Sequence, residues 1–361
     1  MRRIFKKIIG FAAFLLGLIL CTGLAVAALF IHGNSPPAFF PNSWERDGIM
    51  LEQLGMDAAV IRFEVRRGES AQSVGQRLAD AGIIRNRYVW SILCRIEKEF
   101  IKNGSYRIEL PSSQIAIHQL LVSGRQMLLR VTIPEGLTLK KTARLLEEAG
   151  ICPADDFLAA AAAPETVAHY RIPGTTMEGY LYPETYFFPP VYPAAKVVQT
   201  MADTFFSRIG DISGSTLTMS PEALNRLVIL ASIVEREYRL PEEAPVMAGV
   251  FSNRLRIGMA LQSCATVEYV ITEIQGRPHP EFLTTRDIEI RDPYNTYVRP
   301  GLPPGPISNP GAVALSAVLS PTASNYLYFR LIDPASGKHY FSRTLDDHIQ
   351  AGRLYLKGST R

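Results

Sequence analysis

The chain has 361 residues, which is long enough for two or three domains with their own cores. Hydrophobic residues make up 47% of it and charged residues 20%, and its formal net charge of +4 is too small to indicate nucleic-acid binding. The four cysteines are scattered and the six histidines are isolated. No spacing therefore indicates a zinc or redox site, and we expect neither a metal nor a cofactor.

The N-terminus has the pattern of a membrane anchor. Four basic residues lie within the first seven positions, and residues 8–31 carry no charge. This stretch is long enough to cross a bilayer, and the basic side chains place the N-terminus in the cytoplasm and the rest outside. A cleaved signal peptide ending near Ala25-Val26-Ala27 is the alternative, but the apolar stretch is long for a signal. We expect a single-pass anchor of the cytoplasmic membrane over residues 1–32, followed by a Pro-, Asn-, Ser- and Gly-rich linker over residues 33–58.

An internal repeat follows the linker. Residues 63–84, FEVRRGESAQSVGQRLADAGII, match residues 131–152, VTIPEGLTLKKTARLLEEAGIC. Each copy alternates apolar and polar residues, turns at a glycine, and then shows helical spacing. Ser70 and Thr138 are placed to cap the two helices, and Gly82 and Gly150 are placed to end them. The repeat predicts two strand–turn–helix units.

This unit resembles half of a LysM module, a small fold that commonly binds polymers of N-acetylglucosamine. A spacer that holds a catalytic domain away from the membrane is an equally good interpretation, because the unit carries no diagnostic binding residues. We assign residues 59–130 to a LysM-like module and residues 131–170 to a second repeat-like or connecting segment. The remaining residues, 171–361, form the predicted catalytic domain.

The segment EGYLYPETYFFPP, residues 178–190, is dense in aromatic residues, proline and glutamate. Such a composition disfavours a regular helix or a central strand. Its rings are expected either to form a wall on which sugars stack or to form the core under a long loop: Tyr180, Tyr182, Tyr186, Phe187 and Phe188.

A later helix carries a carboxylate at the end of its apolar face. Ser220 and Pro221 form a strong helix start, and the apolar run that follows indicates a helix buried nearly all round. Glu235 lies one turn beyond Ala231 on that buried face. Burial would raise its pKa and favour the protonated form, which can donate a proton to a leaving oxygen. The alternative is a structural ion pair with a nearby arginine: Arg236, Arg239 or Arg254.

Glu237 is rotated by about 200° from Glu235 on a helix, so the two carboxylates do not share a face. The loop YNTYVRPGLPPGPISNPG, residues 294–311, is rich in proline, glycine and hydrogen-bonding side chains. A rigid loop of this kind is suited to hold a polyhydroxylated ligand.

Several motifs in the same order resemble the endolytic murein transglycosylase (YceG-like) family, and the resemblance covers about residues 60–352. They are Ile133-Pro134-Glu135-Gly136, Glu178-Gly179-Tyr180, Ala231-Ser232-Ile233-Val234-Glu235, Phe251-Ser252-Asn253-Arg254-Leu255, Leu261-Gln262-Ser263, Tyr294-Asn295-Thr296-Tyr297, and Gly301-Leu302-Pro303-Pro304-Gly305. Many members of the family carry Asp-Pro after the Leu-Gln-Ser motif, whereas this chain has Cys264-Ala265, and we do not count Cys264 as functional.

The resemblance implies a peptidoglycan lytic transglycosylase that cleaves MurNAc–GlcNAc bonds within glycan strands and leaves 1,6-anhydroMurNAc ends. It assigns the role of catalytic acid and base to Glu235, the residue that the helix pattern also singles out. Candidates for binding the sugar, or alternatively for holding the loop in shape, are Glu178, Gln262, Tyr294 and Asn295. The expected partners are peptidoglycan strands and peptidoglycan synthases (penicillin-binding proteins).

The predicted fold is therefore α+β: a transmembrane helix, LysM-like βα modules, and a mixed α/β catalytic domain with its glutamate on a helix. Two other functions stay open. A peptidoglycan hydrolase would need a second carboxylate opposite Glu235, for which Glu178, Glu184 and Asp292 are candidates. A non-enzymatic scaffold would use the LysM-like part to hold glycan, and it would have no need of a desolvated acid.

Overall fold

The computed structural model describes residues 2–37, 49–54, 59–96, 100–214 and 219–355. The fold is α+β, as expected, and the chain divides into two compact units, Met1–Leu128 and Leu129–Arg361. Each unit has its own cluster of buried apolar side chains.

The first unit begins with a long helix, α1 (Arg2–Asn34). Its segment Phe14–Asn34 has a mean hydropathy of 2.7, and none of that segment is buried within the protein. Length and composition make this helix able to cross a membrane. These properties agree with the predicted anchor over residues 1–32.

The rest of the first unit is a three-stranded antiparallel sheet covered by helices. The strands are β1 (Ile49–Leu54), β2 (Ala59–Val65) and β3 (Gly104–Leu110), in the order β1-β2-β3. The helices are α2 (Ala71–Asp80), α3 (Arg87–Ile96) and α4 (Gln114–Ser123). The inward sheet face and all three helices share a core that includes Phe63, Leu78, Trp90, Tyr106 and Ile108.

The linker prediction is wrong for β1. Residues 49–54 pair with β2, with Ile49 opposite Phe63 and Leu51 opposite Ile61, and Ile49 is buried. The segment IMLEQL is too apolar for a linker, and an edge strand places its alternate side chains against the core. The remaining linker residues 38–48 and 55–58 lie outside the described residues.

The helix caps of the internal repeat are confirmed. The Ser70 hydroxyl accepts a hydrogen bond from the Ser73 N–H at the start of α2, and Thr138 does the same for the Lys141 N–H at the start of α5 (Leu139–Glu148). Gly82 and Gly150 follow the two helices with φ angles of 67° and 72°, a region that glycine enters without steric cost.

The second unit is mainly helical. Its two sheets are antiparallel pairs, β4 (Leu129–Thr132) with β5 (Thr185–Phe188) and β6 (Tyr328–Asp333) with β7 (Lys338–Ser342). The helices, besides α5, are α6 (Ala154–Ala161), α7 (Pro164–His169), α8 (Ala194–Ser213), α9 (Pro221–Glu237), α10 (Ala244–Arg256), α11 (Cys264–Tyr269), α12 (Thr285–Ile288), α13 (Ala312–Leu319) and α14 (Leu345–Tyr355).

The second repeat does not form a separate segment. Val131, Leu146 and Phe157 belong to the same buried cluster as Phe205 of α8 and Val228 of α9. A strand and one short helix bury too little apolar surface to be stable alone, so this copy is built into the larger core. The predicted boundary at residue 170 is therefore absent from the packing.

Helix α9 forms as the sequence predicts and lies at the centre of the second unit. The Ser220 hydroxyl accepts a hydrogen bond from the Ala223 N–H, and Pro221 occupies the first helical position. Residues 227–234 are all buried. The helix packs against α10, α11 and α13, which fixes the position of its C-terminal end.

Candidate active site

Glu235 lies in the last turn of α9 and is half-buried. One carboxylate oxygen, Oε2, accepts a hydrogen bond from the Gly311 backbone N–H at 2.9 Å. The other, Oε1, accepts one from the Tyr238 hydroxyl at 3.2 Å. Within the described part of the chain no ion pair involves Glu235, since Arg236 pairs with Glu268 at 2.8 Å and Arg254 donates to backbone carbonyls. The ion-paired alternative is therefore not the arrangement found.

A polar loop brings Gly311 to the end of α9. One turn before Glu235, the Ser232 hydroxyl accepts a hydrogen bond from the Ile307 N–H at 3.0 Å, and the Ser308 hydroxyl donates to the Ser232 carbonyl at 3.1 Å. The buried Ser232, which looks out of place in an apolar helix, is thus the attachment point of the loop. The loop ends at Gly311, whose N–H is aimed at the glutamate.

Asn309 ties the same loop to two other segments. Its Oδ1 accepts hydrogen bonds from the N–H groups of Gly179 and Leu181, at 3.0 and 3.1 Å. Its Nδ2 and its backbone N–H both donate to the Leu137 carbonyl, and its own carbonyl accepts from the Gly136 N–H at 2.9 Å. Asn309 is fully buried, so each lost bond would leave an unsatisfied polar group. Three segments that are distant in the sequence therefore meet beside Glu235.

The environment raises the pKa of Glu235 to about 7. Burial is the largest cause, because the ionised form loses solvation. The negative charge of Glu135 raises the pKa further, whereas the Gly311 N–H and the Tyr238 hydroxyl lower it by stabilising the carboxylate. Close to neutral pH the two forms of Glu235 are present in similar amounts. The residue can then act both as an acid and as a base.

Glu135 is a site residue that the sequence analysis did not single out. Its carboxylate covers the α-carbon of Gly311, since a methyl group at that position would lie 1.9 Å from Glu135 Oε1. Gly136 follows it with a φ of 74°, and a methyl group there would lie 3.5 Å from Glu235 Cγ. Two carboxylates thus approach one glycine. Glu135 belongs to the Ile-Pro-Glu-Gly motif, which contributes to the resemblance to the YceG-like family. The motif alone does not indicate a chemical role for the glutamate.

Two of the four candidate sugar-binding residues are held by hydrogen bonds to backbone groups. Asn295 is fully buried, and its Nδ2 donates to the carbonyls of Ile288 and Ile290. Glu178 is 7% exposed, accepts the Leu139 N–H at the start of α5 through both oxygens, at 3.1 Å each, and is hydrogen-bonded to Tyr269. These contacts support the alternative in which both residues hold segments in shape.

The other two predicted residues differ in exposure. Tyr294 is half-buried, and its ring lies 5.1 Å from that of Tyr269. Gln262 is exposed, has a φ of 52°, and is held by a hydrogen bond from its N–H to the Thr296 carbonyl. A left-handed backbone at a residue other than glycine is costly and is often found at functional sites. Gln262 is therefore the best placed of the four to meet a ligand.

The aromatic segment 178–190 contributes core rather than a sugar platform. Tyr180, Tyr182, Tyr186 and Phe188 are all buried, and Phe187 alone of the five rings is exposed. Residues 185–188 form β5, one strand of a two-stranded sheet, which is compatible with the expectation that no central strand forms there. The interpretation as core under a loop is confirmed for four of the five rings.

A basic cleft of about 760 Å³ opens beside the end of α9. Tyr238, which donates to Glu235, lines it, and so does Gln262. Four arginines and two glutamates, Glu237 and Glu268, line the cleft, and burial raises the pKa of Glu237, which favours its neutral form. The arginines are Arg236, Arg239, Arg254 and Arg330. The cleft therefore favours anionic groups.

Replacing Glu178 by glutamine is expected to make the stability less dependent on pH. Burial raises the pKa of Glu178 to about 8, so the folded state holds a proton that the unfolded chain releases near pH 4.5. The stabilising effect of this proton is complete below pH 4.5 and is lost as the pH rises through about 8. Glutamine keeps an acceptor for the Leu139 N–H and cannot ionise.

Between pH 5 and pH 9 we expect the glutamine variant to gain stability relative to wild type, by on the order of a few kcal/mol in the free energy of unfolding. Its melting temperature relative to wild type should rise accordingly over this pH range. Thermal melts at four pH values would measure this. The same substitution at the half-buried Glu184, which pairs with Arg208, controls for the loss of one negative charge. An identical pH dependence for wild type and variant would contradict a protonated Glu178.

Known proteins resemble the chain over most of its length. The model of the YceG-like family matches residues 63–353. An endolytic murein transglycosylase from Streptococcus pneumoniae (strain R6) is 28% identical over 320 residues, covering 79% of this chain and 56% of the relative. The chain therefore spans little more than half the length of this relative. An endolytic murein transglycosylase from Bacillus subtilis (strain 168) is 26% identical over 351 residues, covering 92% of this chain and 91% of the relative.

A solved structure extends the resemblance to the fold. The crystal structure of a YceG-like protein from Listeria monocytogenes superposes with a TM-score of 0.53 at 29% sequence identity. The match covers 81% of this chain and 98% of the Listeria chain. The family model covers most of the chain, including the Glu235 helix and the loop that ends at Gly311. The chain therefore belongs to the YceG-like family.

Proposed function

We propose that the protein is a membrane-anchored lytic transglycosylase. It would cleave MurNAc–GlcNAc bonds within peptidoglycan strands, leave 1,6-anhydroMurNAc ends, and so end the elongation of nascent strands. The observation that carries this proposal is Glu235, a half-buried carboxyl with a pKa of about 7, held by Gly311 and Tyr238 at the end of α9. The names of the similar proteins from Streptococcus and Bacillus support the same activity.

One carboxyl is sufficient for this reaction. Protonated Glu235 donates its proton to the glycosidic oxygen, and the bond between that oxygen and C1 of the muramic acid breaks. The C6 hydroxyl of the same sugar attacks C1 and forms the 1,6-anhydro ring. Its proton passes to the Glu235 carboxylate, which regenerates the acid. The nucleophile belongs to the substrate, so the ring closure benefits from proximity.

The two hydrogen bonds to Glu235 suit a group that changes charge during the reaction. Once the proton has been given away, the carboxylate is stabilised by the Gly311 N–H and the Tyr238 hydroxyl. Burial raises the pKa of Tyr238, so it remains a neutral donor. Both donors also fix the orientation of the carboxyl before the substrate binds.

The basic cleft would receive the part of the substrate next to the cleaved bond. Gln262 can bond to a hydroxyl or an acetamido group, and Tyr294 can bind or orient a sugar. Peptide stems of peptidoglycan carry carboxylates, which the arginines of the cleft would attract. Glu178 and Asn295 would act indirectly by holding α5 and the residues around Thr296.

The first unit would place the catalytic unit at the cell wall. Helix α1 would anchor the protein in the cytoplasmic membrane, with the N-terminus inside and the rest outside. The order β2-α2-α3-β3 supports the LysM-like interpretation, and with it glycan binding, although a spacer fits the same order. Peptidoglycan synthases in the same membrane are the proposed partners, because strand cutting is useful where strands emerge.

A hydrolase is the second candidate, and Glu135 favours it. This carboxylate lies close to Gly311, whose N–H donates a hydrogen bond to Glu235, and it could activate a water molecule. The other carboxylates considered from the sequence have other partners: Glu178 holds α5, Glu184 pairs with Arg208, and Asp292 accepts the Tyr294 N–H. A scaffold without activity gains no support from the geometry, since it gives Glu235 no role.

Product analysis separates these functions. The full-length protein in detergent would be incubated with purified peptidoglycan, and the products would be examined by mass spectrometry. Products lighter than the hydrolytic ones by one water, with anhydro ends, would support the transglycosylase. Reducing ends would identify a hydrolase and direct attention to Glu135. The absence of cleavage would favour the scaffold.

The rate of cleavage is expected to fall above pH 7. The pKa of Glu235 is about 7 and only the protonated form can donate, so kcat/KM should decrease about tenfold per pH unit on the alkaline side. Rates measured between pH 5.5 and 9 would locate the midpoint of this decrease.

Two variants should move that midpoint in opposite directions. Tyr238→Phe removes a hydrogen bond that lowers the pKa of Glu235, and it should shift the midpoint to higher pH. Glu135→Gln removes a negative charge that raises the pKa, and it should shift the midpoint to lower pH. A midpoint that neither variant moves would assign the titration to another group.

A further inference from the structure

Helix α3 is apolar on two faces. It buries Val89, Trp90 and Leu93 in the core of the first unit. On the other face Tyr88, Ile92 and Ile96 are 65%, 44% and 67% exposed. These three residues are spaced by four positions, so they form one line along the helix, here called the exposed stripe. A helix that is apolar on both sides needs a second apolar environment.

The end of α1 is fixed to the helices of the same unit. Gln114 is 1% exposed, and its side-chain amide donates to the Gly33 carbonyl. The Asn34 side chain accepts the Ile115 N–H at 3.0 Å, at the start of α4. Gly33 packs against α3, since a methyl group there would lie 2.6 Å from Val89 Cγ2. Helix α1 therefore ends directly on α3 and α4.

This attachment determines where the exposed stripe lies. The apolar span of α1 runs to Asn34, so it ends at the residues that contact α3 and α4. Tyr88 is the neighbour of Val89, and Ile96 follows it by about 12 Å along the helix axis. If α1 crosses a bilayer, Tyr88 lies close to the surface from which α1 emerges, and no residue of the stripe is more than about 12 Å from it along α3.

The arginines beside the stripe fit a lipid surface. Residues 85–96 contain three arginines and no acidic residue, and all three arginines are exposed: Arg85, Arg87 and Arg95. Arg85 donates to the Pro36 carbonyl at 2.8 Å, just beyond α1, and the guanidinium of Arg87 lies 5.2 Å from the centre of the Tyr88 ring. Tyrosine and arginine beside aliphatic residues are typical of helices that lie in a membrane interface.

We propose that α3 is an interfacial helix, which inserts Tyr88, Ile92 and Ile96 into the bilayer surface and places its arginines among the lipid phosphates. The proposal rests on the membrane anchor proposed above and is independent of the catalytic chemistry. The first unit is then held against the membrane at two places, the end of α1 and the face of α3.

Photo-crosslinking to lipid tests this arrangement. The full-length protein would be reconstituted in nanodiscs of purified phospholipid, with benzoyl-phenylalanine in place of Tyr88 or of Ile96. Leu18, in the apolar span of α1, is the positive control. Arg107 is the negative control, because it lies on the sheet face opposite the buried Tyr106 and Ile108. All four positions are exposed, so the substitutions should leave the fold intact.

After irradiation, mass spectrometry of the intact protein would give the fraction that carries a lipid. We expect the fraction at positions 88 and 96 to exceed that at 107 by at least about fivefold and to approach that at 18. Adducts at 18 alone would overturn the interfacial helix and keep the anchor. Absence of adducts at 18 as well would overturn both. Crosslinks from 88 and 96 to a second protein chain instead of lipid would also overturn the proposal.

Discussion

Glu235→Gln is expected to lower the cleavage rate by about 10²- to 10⁴-fold, the usual contribution of a general acid. Glutamine has nearly the shape of the protonated glutamate, and its oxygen can still accept the Gly311 N–H that Glu235 accepts at 2.9 Å. It cannot, however, release a proton to the glycosidic oxygen. The loss should therefore appear in kcat, while binding to peptidoglycan is retained.

Release of anhydro-ended fragments would measure the first effect, and sedimentation with insoluble peptidoglycan would measure the second. Glu242→Gln, at an exposed position shortly after α9, is the matched control for the loss of a carboxylate. Cleavage by the Glu235 variant at the wild-type rate would remove this residue from the reaction. The effect of Glu135→Gln then separates the two enzymes: a hydrolase should lose most activity, whereas a transglycosylase should show only the shifted pH profile.

The sequence was sufficient to predict α9 and the burial of its carboxylate. A capping serine, a proline at the first helical position and a wholly apolar run are local signals, and they fix both the start of the helix and the face that is buried. The position of Glu235 one turn beyond Ala231 follows from helix geometry alone. Nothing outside this helix was needed to expect a raised pKa.

The partners of Glu235 could not be predicted, because they come from loops that are distant in the sequence. Gly311 lies 76 residues after it, and the Glu135 motif lies far before it. Hydrophobic periodicity shows which face of a helix is buried, but not which loop docks on its end. The buried Ser232 was the local sign of such docking, since a hydroxyl in an apolar run needs a partner from elsewhere.

The sugar-binding candidates show the opposite weakness of motif reasoning. Asn295 and Glu178 stand in family motifs, and a polar residue in a motif can serve the ligand or the fold. Both are buried and hydrogen-bonded to backbone groups, which favours a structural role. Burial together with backbone partners favours the structural use, and burial of single residues inside a loop does not follow from sequence pattern.

Gly179→Ala is expected to destabilise the second unit strongly. Gly179 has a φ of 86°, which costs a residue with a side chain about 1–2 kcal/mol. An added methyl group would also lie 2.5 Å from Pro306 Cβ and 2.9 Å from Val228 Cγ1. Overpacking of this kind typically costs about 1–3 kcal/mol, so the total is about 2–5 kcal/mol and the melting temperature should fall by roughly 5–15 °C.

The matched control is Gly301→Ala. Gly301 has a φ of 96°, but no atom lies within 4 Å of the added methyl group, so it carries the backbone cost without the clash. The difference between the two variants in thermal melts measures the close approach of Gly179 to Pro306. Equal destabilisation would show that the contact is loose.

The clash has a second consequence, because Pro306 belongs to the loop that positions Gly311. If the clash is relieved by a shift of this loop away from α9, the N–H of Gly311 moves away from Glu235. Because that hydrogen bond lowers the pKa of Glu235, the alkaline midpoint of cleavage should rise in Gly179→Ala and stay unchanged in Gly301→Ala. A variant that loses stability with an unchanged midpoint would show that the loop keeps its hold on the glutamate. The glycine would then matter for folding alone.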